Sequence, residues 1–153
     1  MKHRVVNPGD ARPPREVAAA SLAGPVQSVM SRRVVQILEK IPMFEVRNVA
    51  AKYDYNGFPV VTTEGRLVGM ITKGDLLRVA CAAFDDPAMW REPVSRFMAH
   101  GVLALRPMDS LRSAVRDMTE AKLRSLPVID GECRVLGMVS RNDLMAAIAP
   151  EAV

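Results

Sequence analysis

Short apolar runs alternate with helical spacings of apolar residues along residues 25–149. Runs of four to six residues rich in valine, isoleucine and leucine predict strands. Apolar residues at i, i+3, i+4 and i+7 predict a helix over 111–118, which Asp109 or Ser110 can cap. An equivalent earlier helix carries Pro42 in its first turn. The remaining predictions are strands at 34–37, 58–61, 67–71, 102–105, 126–129 and 135–139, and helices at 75–83 and 143–149.

The same order of elements occurs twice. Sliding the chain by 68 positions aligns residues 25–80 with 93–148 without a gap and gives 12 identical pairs. Each copy runs strand–helix–strand–strand–helix, with the two middle strands as a hairpin and the second helix over the sheet. Two copies are too few for a stacked array. This indicates an α/β (α+β) fold of two pseudo-symmetric repeats packed face to face. The chain divides into an arm at 1–24, domains at 25–83 and 93–149, and a linker at 84–92.

The residues outside the repeat predict little regular structure. Prolines and a glycine at 8–14 indicate an irregular arm, and 15–22 allow one or two helical turns. Trp90 is the single tryptophan, and we expect it to cover the core of the second half. Cys81 is expected to pack within a helix and Cys133 to lie at a turn, unpaired, because two distant cysteines form neither a disulfide framework nor a metal cluster.

Composition narrows the class of protein. Over 153 residues, 49% are hydrophobic and 25% charged, which suits a packed core and excludes wholesale disorder. No apolar run approaches the roughly 18 residues of a membrane span, and the N-terminal residues lack the apolar stretch of a secretory signal. We therefore expect a cytoplasmic protein. The net charge of +4 is thinly spread, which disfavours nucleic acid as a partner. A nucleic-acid-binding regulator using the arm residues Lys2, His3, Arg4, Arg12 and Arg15 is the alternative.

One local pattern occurs in both copies with a glycine, a hydroxyl residue, a cation and an aspartate at the same positions. It reads Gly-Met-Ile-Thr-Lys-Gly-Asp at 69–75 and Gly-Met-Val-Ser-Arg-Asn-Asp at 137–143. A strand glycine permits close approach to the backbone. A hydroxyl residue then stands where the strand becomes a helix, and the free N–H groups of that helix, with the neighbouring cation, can hold an anion. The Asp can accept hydrogen bonds from hydroxyls. A ribose phosphate satisfies both groups, although Thr or Ser followed three residues later by Asp is also a helix cap.

No catalytic constellation accompanies this pattern. His3 and His100 lie far apart in sequence without an acidic or cysteine cluster, and the common nucleophile, phosphate-loop and zinc motifs are absent. The sequence offers binding groups without an evident nucleophile, base or metal site. We therefore expect a protein that is not an enzyme, with no catalytic residues, no metal ligands and no required cofactor.

The doubled unit resembles a tandem pair of cystathionine-β-synthase (CBS) domains, a Bateman module. The resemblance rests on Val29-Met30 and Phe97-Met98, on GFPV at 57–60 and SLPV at 125–128, and on GMITKGDL and GMVSRNDL. It covers residues 25–149. The segment 46–61, which ends in NGFPVV, also resembles the first CBS domain of chloride-transport proteins.

The resemblance implies a regulatory, ligand-sensing module that binds adenine nucleotides in clefts between the two domains. The ligand would be AMP, ADP, ATP, NAD or S-adenosylmethionine, and the module would form a homodimer and control an unknown protein. A degenerate pair that only dimerises is a further alternative. Arg32-Arg33 gives way to His100-Gly101 in the second copy, so the clefts should differ. The implied roles are ribose binding by Asp75 and Asp143, ribose or phosphate contacts by Thr72 and Ser140, phosphate contacts by Lys73 and Arg141, and adenine contacts by Val34, Val35, Phe58, Pro59, Val102, Leu103, Leu126 and Pro127.

Overall fold

The computed structural model describes residues 4–5 and 22–148 of the chain. The helical turns expected at 15–22 and most of the basic arm lie outside the described residues. Short 3-10 helices cover Val26–Ser28, Pro87–Arg91 and Val94–Arg96. The strands and helices are β1 (Arg4–Val5), β2 (Val35–Leu38), α1 (Met43–Lys52), β3 (Gly57–Val61), β4 (Leu67–Thr72), α2 (Lys73–Ala83), α3 (Leu111–Glu120), β5 (Ser125–Ile129), β6 (Val135–Ser140) and α4 (Arg141–Ala147).

The mixed α+β fold with its repeated order of elements is confirmed. In the first repeat β2 pairs parallel with β3, β3 pairs antiparallel with β4, and β1 adds an antiparallel edge to β2. In the second repeat β5 and β6 form the equivalent hairpin. The hairpin registers match, because Gly57 faces Thr72 in one repeat and Ser125 faces Ser140 in the other.

The strand expected at 102–105 is reduced to a single bridge between Leu105 and Val128. In the first repeat the ladder continues with a bond from Glu39 N–H to the Val61 carbonyl, at 3.0 Å. The equivalent residue in the second repeat is Pro107, which has no N–H to donate. The missing donor explains why β2 has no full counterpart.

The described chain divides into two compact units. Unit 1 contains residues 4–5 and 35–102, and unit 2 contains residues 22–34 and 103–148. Each unit thus begins about ten residues after the start of its sequence repeat. As a result, the first ten residues of the second repeat (residues 93–102, strap 1) belong to unit 1. The first ten residues of the first repeat, with the three residues before them (residues 22–34, strap 2), belong to unit 2.

Backbone hydrogen bonds attach each strap to its unit at matching positions. In unit 1, Met70 N–H donates to the Ala99 carbonyl at 3.0 Å, and Ala99 N–H donates to the Met70 carbonyl at 2.8 Å. In unit 2, Ser31 and Met138 exchange the same two bonds at 2.8 and 2.9 Å. Each strap therefore acts as a short extra strand at the edge of its hairpin.

Each unit has its own apolar core, in which a helix pair and a strap cover the sheet. In unit 1 the core includes Ile37, Val46, Phe58 and Ile71, with Val94 from strap 1. The core of unit 2 includes Leu111, Leu126, Val139 and Leu144, with Val26 and Val29 from strap 2. The straps thus supply fully buried valines, and burying a side chain of this size contributes about 1.5–3 kcal/mol.

Two packing predictions are wrong. Trp90 packs against the core of unit 1, where Arg47 lies 4.9 Å from its ring centroid, because the chain around strap 1 belongs to this unit. Cys81 lies on α2 but is exposed, since Leu76, Val79 and Ala83 occupy the buried side of that helix. Cys133 lies in a turn and is also an exposed thiol, with a left-handed φ of 61°.

Helix starts differ slightly from the expectations. Pro42 is the residue before α1 rather than part of its first turn. Ser110, not Asp109, caps α3 by accepting a bond from Ser113 N–H at 3.1 Å. Helices α2 and α4 begin two residues earlier than predicted, because the hydroxyl residue itself is the N-cap.

Candidate functional site

The repeated motif forms a tight corner in unit 1, where β4 ends at Thr72 and α2 begins at Lys73. Thr72 Oγ accepts a hydrogen bond from Asp75 N–H at 3.1 Å. Asp75 Oδ2 in turn accepts from Thr72 N–H at 2.8 Å and from the Thr72 hydroxyl at 2.9 Å. The corner is therefore a reciprocal capping box that fixes the first turn of α2.

Unit 2 builds the same corner from Ser140 and Asp143. Ser140 N–H donates to Asp143 Oδ2 at 2.8 Å, and Asp143 N–H donates to Ser140 Oγ at 3.2 Å. Asp143 is only 2% exposed, which makes it one of two buried polar residues in the described part of the chain. The sequence pattern thus brings hydroxyl and carboxylate together in both units, as a local i, i+3 spacing requires.

The cations beside the two corners have different partners. The Lys73 backbone N–H donates to the Asn56 carbonyl at 2.9 Å, while its ammonium contacts no hydrogen-bond or ion-pair partner within residues 22–148. In unit 2 the Arg141 Nε donates to the Leu123 carbonyl at 3.1 Å. Lys73 is thus the freer of the two to meet an anion at the start of its helix.

A family model of the CBS domain matches residues 26–81 and 94–150. The chain belongs to the CBS domain family. A homoserine O-acetyltransferase of Methanohalobium evestigatum is 27% identical over 123 residues, which are 80% of this chain but 24% of that enzyme. The chain therefore spans only about a quarter of that relative's length.

Solved structures of CBS domains resemble the whole pair. The CBS domain pair of protein MJ0100, in complex with 5-methylthioadenosine and S-adenosyl-L-methionine, has a TM-score of 0.69 and 22% identity over 80% of this chain and 93% of that one. CBSX2 in complex with AMP has a TM-score of 0.72 and 23% identity over 81% and 95%. At this level of identity the likeness shows the fold.

The motif glycine of each CBS repeat is required for strap docking. A Cβ on Gly69 would lie 2.8 Å from the Ala99 carbonyl oxygen, and one on Gly137 would lie 2.7 Å from the Ser31 carbonyl oxygen. Real Cβ atoms do not approach backbone oxygens so closely. The close approach that the glycine predicts is therefore made by a strap of the same unit.

The residues expected to hold adenine are mostly buried. Phe58 and Leu126 are 0% and 1% exposed and point into the cores of their units, and the prolines that follow them are also buried. Val35 lies in β2, where β1 pairs with it. Val102 is half-buried in unit 1, and Leu103 is exposed in unit 2. Within unit 1, register and capping bring Phe58, Pro59, Thr72, Lys73 and Asp75 to one end of the hairpin.

Sequence reasoning missed two neighbours of the unit 1 corner. The Arg78 guanidinium forms an ion pair with Asp75 Oδ1, and the i, i+3 spacing on α2 was the available signal. Tyr53 and Tyr55 stack with ring centroids 5.7 Å apart, and Tyr55 meets the edge of Phe58 at 6.1 Å. In unit 2 the residues at these three positions are Ala146, Ala121 and Leu123, so neither feature is repeated.

The described residues contain neither a candidate metal site nor a candidate membrane-spanning helix. Residues 22–148 contain no group of three or more His, Cys, Asp or Glu side chains that could hold a metal ion. Across the same stretch, the helices are too short or too polar to cross a bilayer.

Proposed function

We propose that this CBS pair is a regulatory module that binds an adenine nucleotide at the strand–helix corners. The observation that carries the proposal is the corner itself, which joins a hydroxyl, a carboxylate, a cation and a helix N-terminus in both units. AMP, ADP, ATP, NAD and S-adenosylmethionine all combine a ribose with an adenine. The adenosine compounds bound by CBSX2 and by the MJ0100 domain pair support this ligand class.

Of the two corners, the one in unit 1 is the more accessible to a nucleotide. Helix α2 has eleven residues, so its N-terminal dipole favours an anion there, although the Lys73 and Asp75 N–H groups already donate to the Asn56 carbonyl and to Thr72 Oγ. The Lys73 ammonium would pair with the phosphate, and Thr72 would contact phosphate or ribose. Ribose hydroxyls would donate to Asp75 Oδ1, displacing Arg78, whose side chain is 75% exposed. Asp143, Ser140 and Arg141 would have the same roles in unit 2.

The adenine ring would contact the end of each hairpin. In unit 1 the proposed contacts are Val35, Phe58, Pro59 and Val102, and in unit 2 they are Val34, Leu103, Leu126 and Pro127. Because Phe58 and Leu126 are buried, they would contact the ligand through backbone atoms.

More widely, we propose that the protein is a regulatory homodimer rather than an enzyme. Its two CBS domains would comprise residues 25–83 and 93–149. Leu77, Phe84 and Met145 support self-association, because they expose 72%, 86% and 61% of their surface. Two exposed thiols suit a reducing compartment such as the cytoplasm. The regulated protein would be a separate or fused partner that responds to nucleotide binding.

Thermal denaturation with and without nucleotide tests the binding proposal. A ligand at a hundredfold excess over its Kd stabilises the folded state by about 2.7 kcal/mol, which raises the Tm by about 5–10 °C for a chain of this length. Asp75→Ala and Asp143→Ala should each weaken binding at one corner by about ten- to a hundredfold, because a hydrogen bond to a charged group is lost. Asp85→Ala, an exposed carboxylate beyond α2, is the matched control.

Pure capping predicts a different result. Asp143→Ala would lower the Tm without ligand in either case, but under pure capping the nucleotide-induced shift would stay at its wild-type size. The proposal is wrong if no adenine compound shifts the wild type at millimolar concentration, or if both variants bind like the control.

A further inference from the structure

Gln36 in β2 carries a buried amide that the corner chemistry does not use. It is 7% exposed, and it is the second of the two buried polar residues in the described part of the chain. The other, Asp143, is bonded within its capping box, whereas the Gln36 amide has no hydrogen-bond partner among residues 22–148. Nearly all buried polar side chains in folded proteins have such a partner. An amide that finds none within the fold is therefore suited to a ligand.

The Gln36 side chain lies on the face of the unit 1 sheet that is opposite the apolar core. Its neighbours Val35 and Ile37 belong to that core, and side chains alternate between the two faces along a strand. Because β2 and β3 run parallel with Ile37 opposite Val60, the residue beside Gln36 is Pro59. The amide thus shares a face with a residue that is proposed above to contact adenine.

The same face continues from Gln36 to the corner at Thr72. Pro59 is paired with Met70 in the hairpin, and two residues along each strand Gly57 is paired with Thr72. A Cβ on Gly57 would lie 3.3 Å from Met70 Cε and 3.5 Å from Thr72 Cγ2, so these side chains project on one face. Residues two apart in a strand are separated by about 7 Å, a distance that a nucleoside can span. A base whose ribose is held at the corner can therefore reach Gln36 across Gly57.

The Gln36 amide is accessible in spite of its burial. Neither of its amide atoms is fully enclosed, since neither counts among the buried, unpartnered side-chain atoms of the described residues. Gly57 and Thr72, nearer the corner, are half-buried, whereas Pro59 and Met70 are buried. The glycine adds no side chain above the backbone, which leaves room for a flat ring between the corner and the amide.

Unit 2 keeps the corner but neither of these two features. A shift of 68 residues replaces Gln36 by Ala104 and Gly57 by Ser125. Ala104 has no polar side-chain group, and Ser125 places a hydroxymethyl group where Gly57 leaves space. The hairpin register is otherwise the same in the two units. The amide and the space beside it are therefore features of unit 1 and not of the repeated corner.

A glutamine amide pairs with a base that offers a hydrogen-bond donor beside an acceptor. Adenine has this arrangement on both edges, because its exocyclic amino group lies between two ring nitrogens. We propose that Gln36 selects a 6-aminopurine at the unit 1 corner, and that unit 2 binds purine nucleotides without this selection. Gln36 Oε1 accepts from the amino group, and Nε2 donates to the neighbouring ring nitrogen. The inference rests on the nucleotide binding proposed above and adds the group that recognises the base.

Two ligands and two proteins form a cycle that tests this pairing by isothermal titration calorimetry. The ligands are AMP and purine riboside 5′-monophosphate, which lacks only the exocyclic amino group. The tighter site of the wild type should prefer AMP by about tenfold, whereas Gln36→Met, which keeps the side-chain length, should bind both ligands within about twofold of each other. Gln27→Met, the same change at an exposed glutamine of strap 2, is the control and should keep the tenfold preference.

Two further variants locate the effect. In an Asp75→Ala background, which weakens the unit 1 corner, Gln36→Met should not alter the binding that remains. Gly57→Ser, which copies unit 2, should weaken AMP and purine riboside 5′-monophosphate alike, because it fills the space and leaves the amide in place.

The stability of the protein without ligand separates base recognition from a structural role. An amide that stabilises the fold through bound water would lower the Tm when it is removed. An amide reserved for a ligand contributes nothing to the unliganded fold, so Gln36→Met should keep or raise the Tm without nucleotide. The Tm increase caused by AMP should nevertheless become smaller.

Each of three results would overturn the proposal. They are equal binding of the two ligands by the wild type, a preference for AMP that Gln36→Met leaves unchanged, and a Gln36→Met effect that persists in the Asp75→Ala background. If no adenine nucleotide binds at all, the proposed function fails as well. If AMP binds and its preference does not depend on Gln36, only this inference fails, so the two failures are distinguishable.

Discussion

The two corners of the CBS pair share a capping box but differ in what surrounds it. In unit 1, 14% of the Asp75 side chain is exposed, and its carboxylate forms an ion pair with Arg78 three residues later. In unit 2, Asp143 is 2% exposed, and the residue three positions later is Ala146. Lys73 extends without a partner in residues 22–148, while Arg141 bonds to the Leu123 carbonyl. The repeated motif therefore specifies the cap, and the non-repeated neighbours decide how exposed each corner is to a ligand.

The sheets of the two units likewise share a repeated hairpin but differ in the residues around it. Unit 1 builds a four-stranded sheet, whereas the named strands of unit 2 form a hairpin, joined by single bridges at Leu105 and Ser31. Part of the difference traces to Pro107, which stands where Glu39 donates in unit 1, and part to β1, which lies outside the repeat. The edges of the two sheets thus differ while their corners stay alike.

The largest expected effect is loss of strap docking, which the two units should share. Gly69→Ala and Gly137→Ala should each destabilise the fold by about 1–3 kcal/mol, because the added Cβ must displace a hydrogen-bonded strap. Thermal denaturation should then show a Tm lowered by roughly 2–12 °C. Gly131→Ala is the control, since no atom lies within 4 Å of its Cβ position. A Gly69→Ala protein as stable as this control would disprove the account of the strap.

Removing the corner carboxylates should destabilise the protein by different amounts in the two units. Asp143→Ala should cost about 1.5–3 kcal/mol in the absence of ligand, because it removes a buried, charged acceptor from the Ser140 N–H. Asp75→Ala should cost less, about 1 kcal/mol, because its site is more exposed to water. Urea unfolding of both variants measures the difference. Equal losses would mean that burial does not distinguish the corners.

Arg78 should oppose ligand binding at unit 1 while contributing little to stability. Its guanidinium is 75% exposed, so Arg78→Ala should change the free energy of unfolding by less than about 0.5 kcal/mol. Because Asp75 Oδ1 is then released, AMP should bind this corner severalfold more tightly in isothermal titration. Weaker binding in the variant would instead place Arg78 among the groups that hold the phosphate. Arg116→Ala, on α3, serves as a surface control.

The smallest expected effect is on the loss of stability in acid, when the carboxylate of Asp130 in the β5–β6 turn is removed. The backbone N–H groups of Arg134 and Glu132 lower the pKa of Asp130 below its ordinary value. A carboxylate with a lowered folded-state pKa stabilises the fold above its ordinary pKa, and this stabilisation is lost as the pH falls through the folded-state value. Asp130→Asn should therefore flatten the decline in Tm between about pH 5 and pH 3. An unchanged decline would show that these bonds do not favour the charged form.

The sequence alone determined the local features of this protein. The 68-residue repeat, the hairpins, and the corners at Thr72 and Ser140 follow from periodicity and from side chains three residues apart. Such interactions close within one turn of chain, so spacing is enough to predict them. The resemblance to CBS domains rested on the same motifs, and the family match agrees with it.

The tertiary structure decided which segments complete each unit. Trp90, strap 1 and strap 2 pack where distant backbone offers hydrogen-bond partners and apolar surface, and no local pattern encodes that choice. The burial of Phe58 likewise depends on how the helices pack over the sheet of unit 1. Contacts between residues far apart in the chain depend on the positions of whole elements, which is why only the folded structure reveals them.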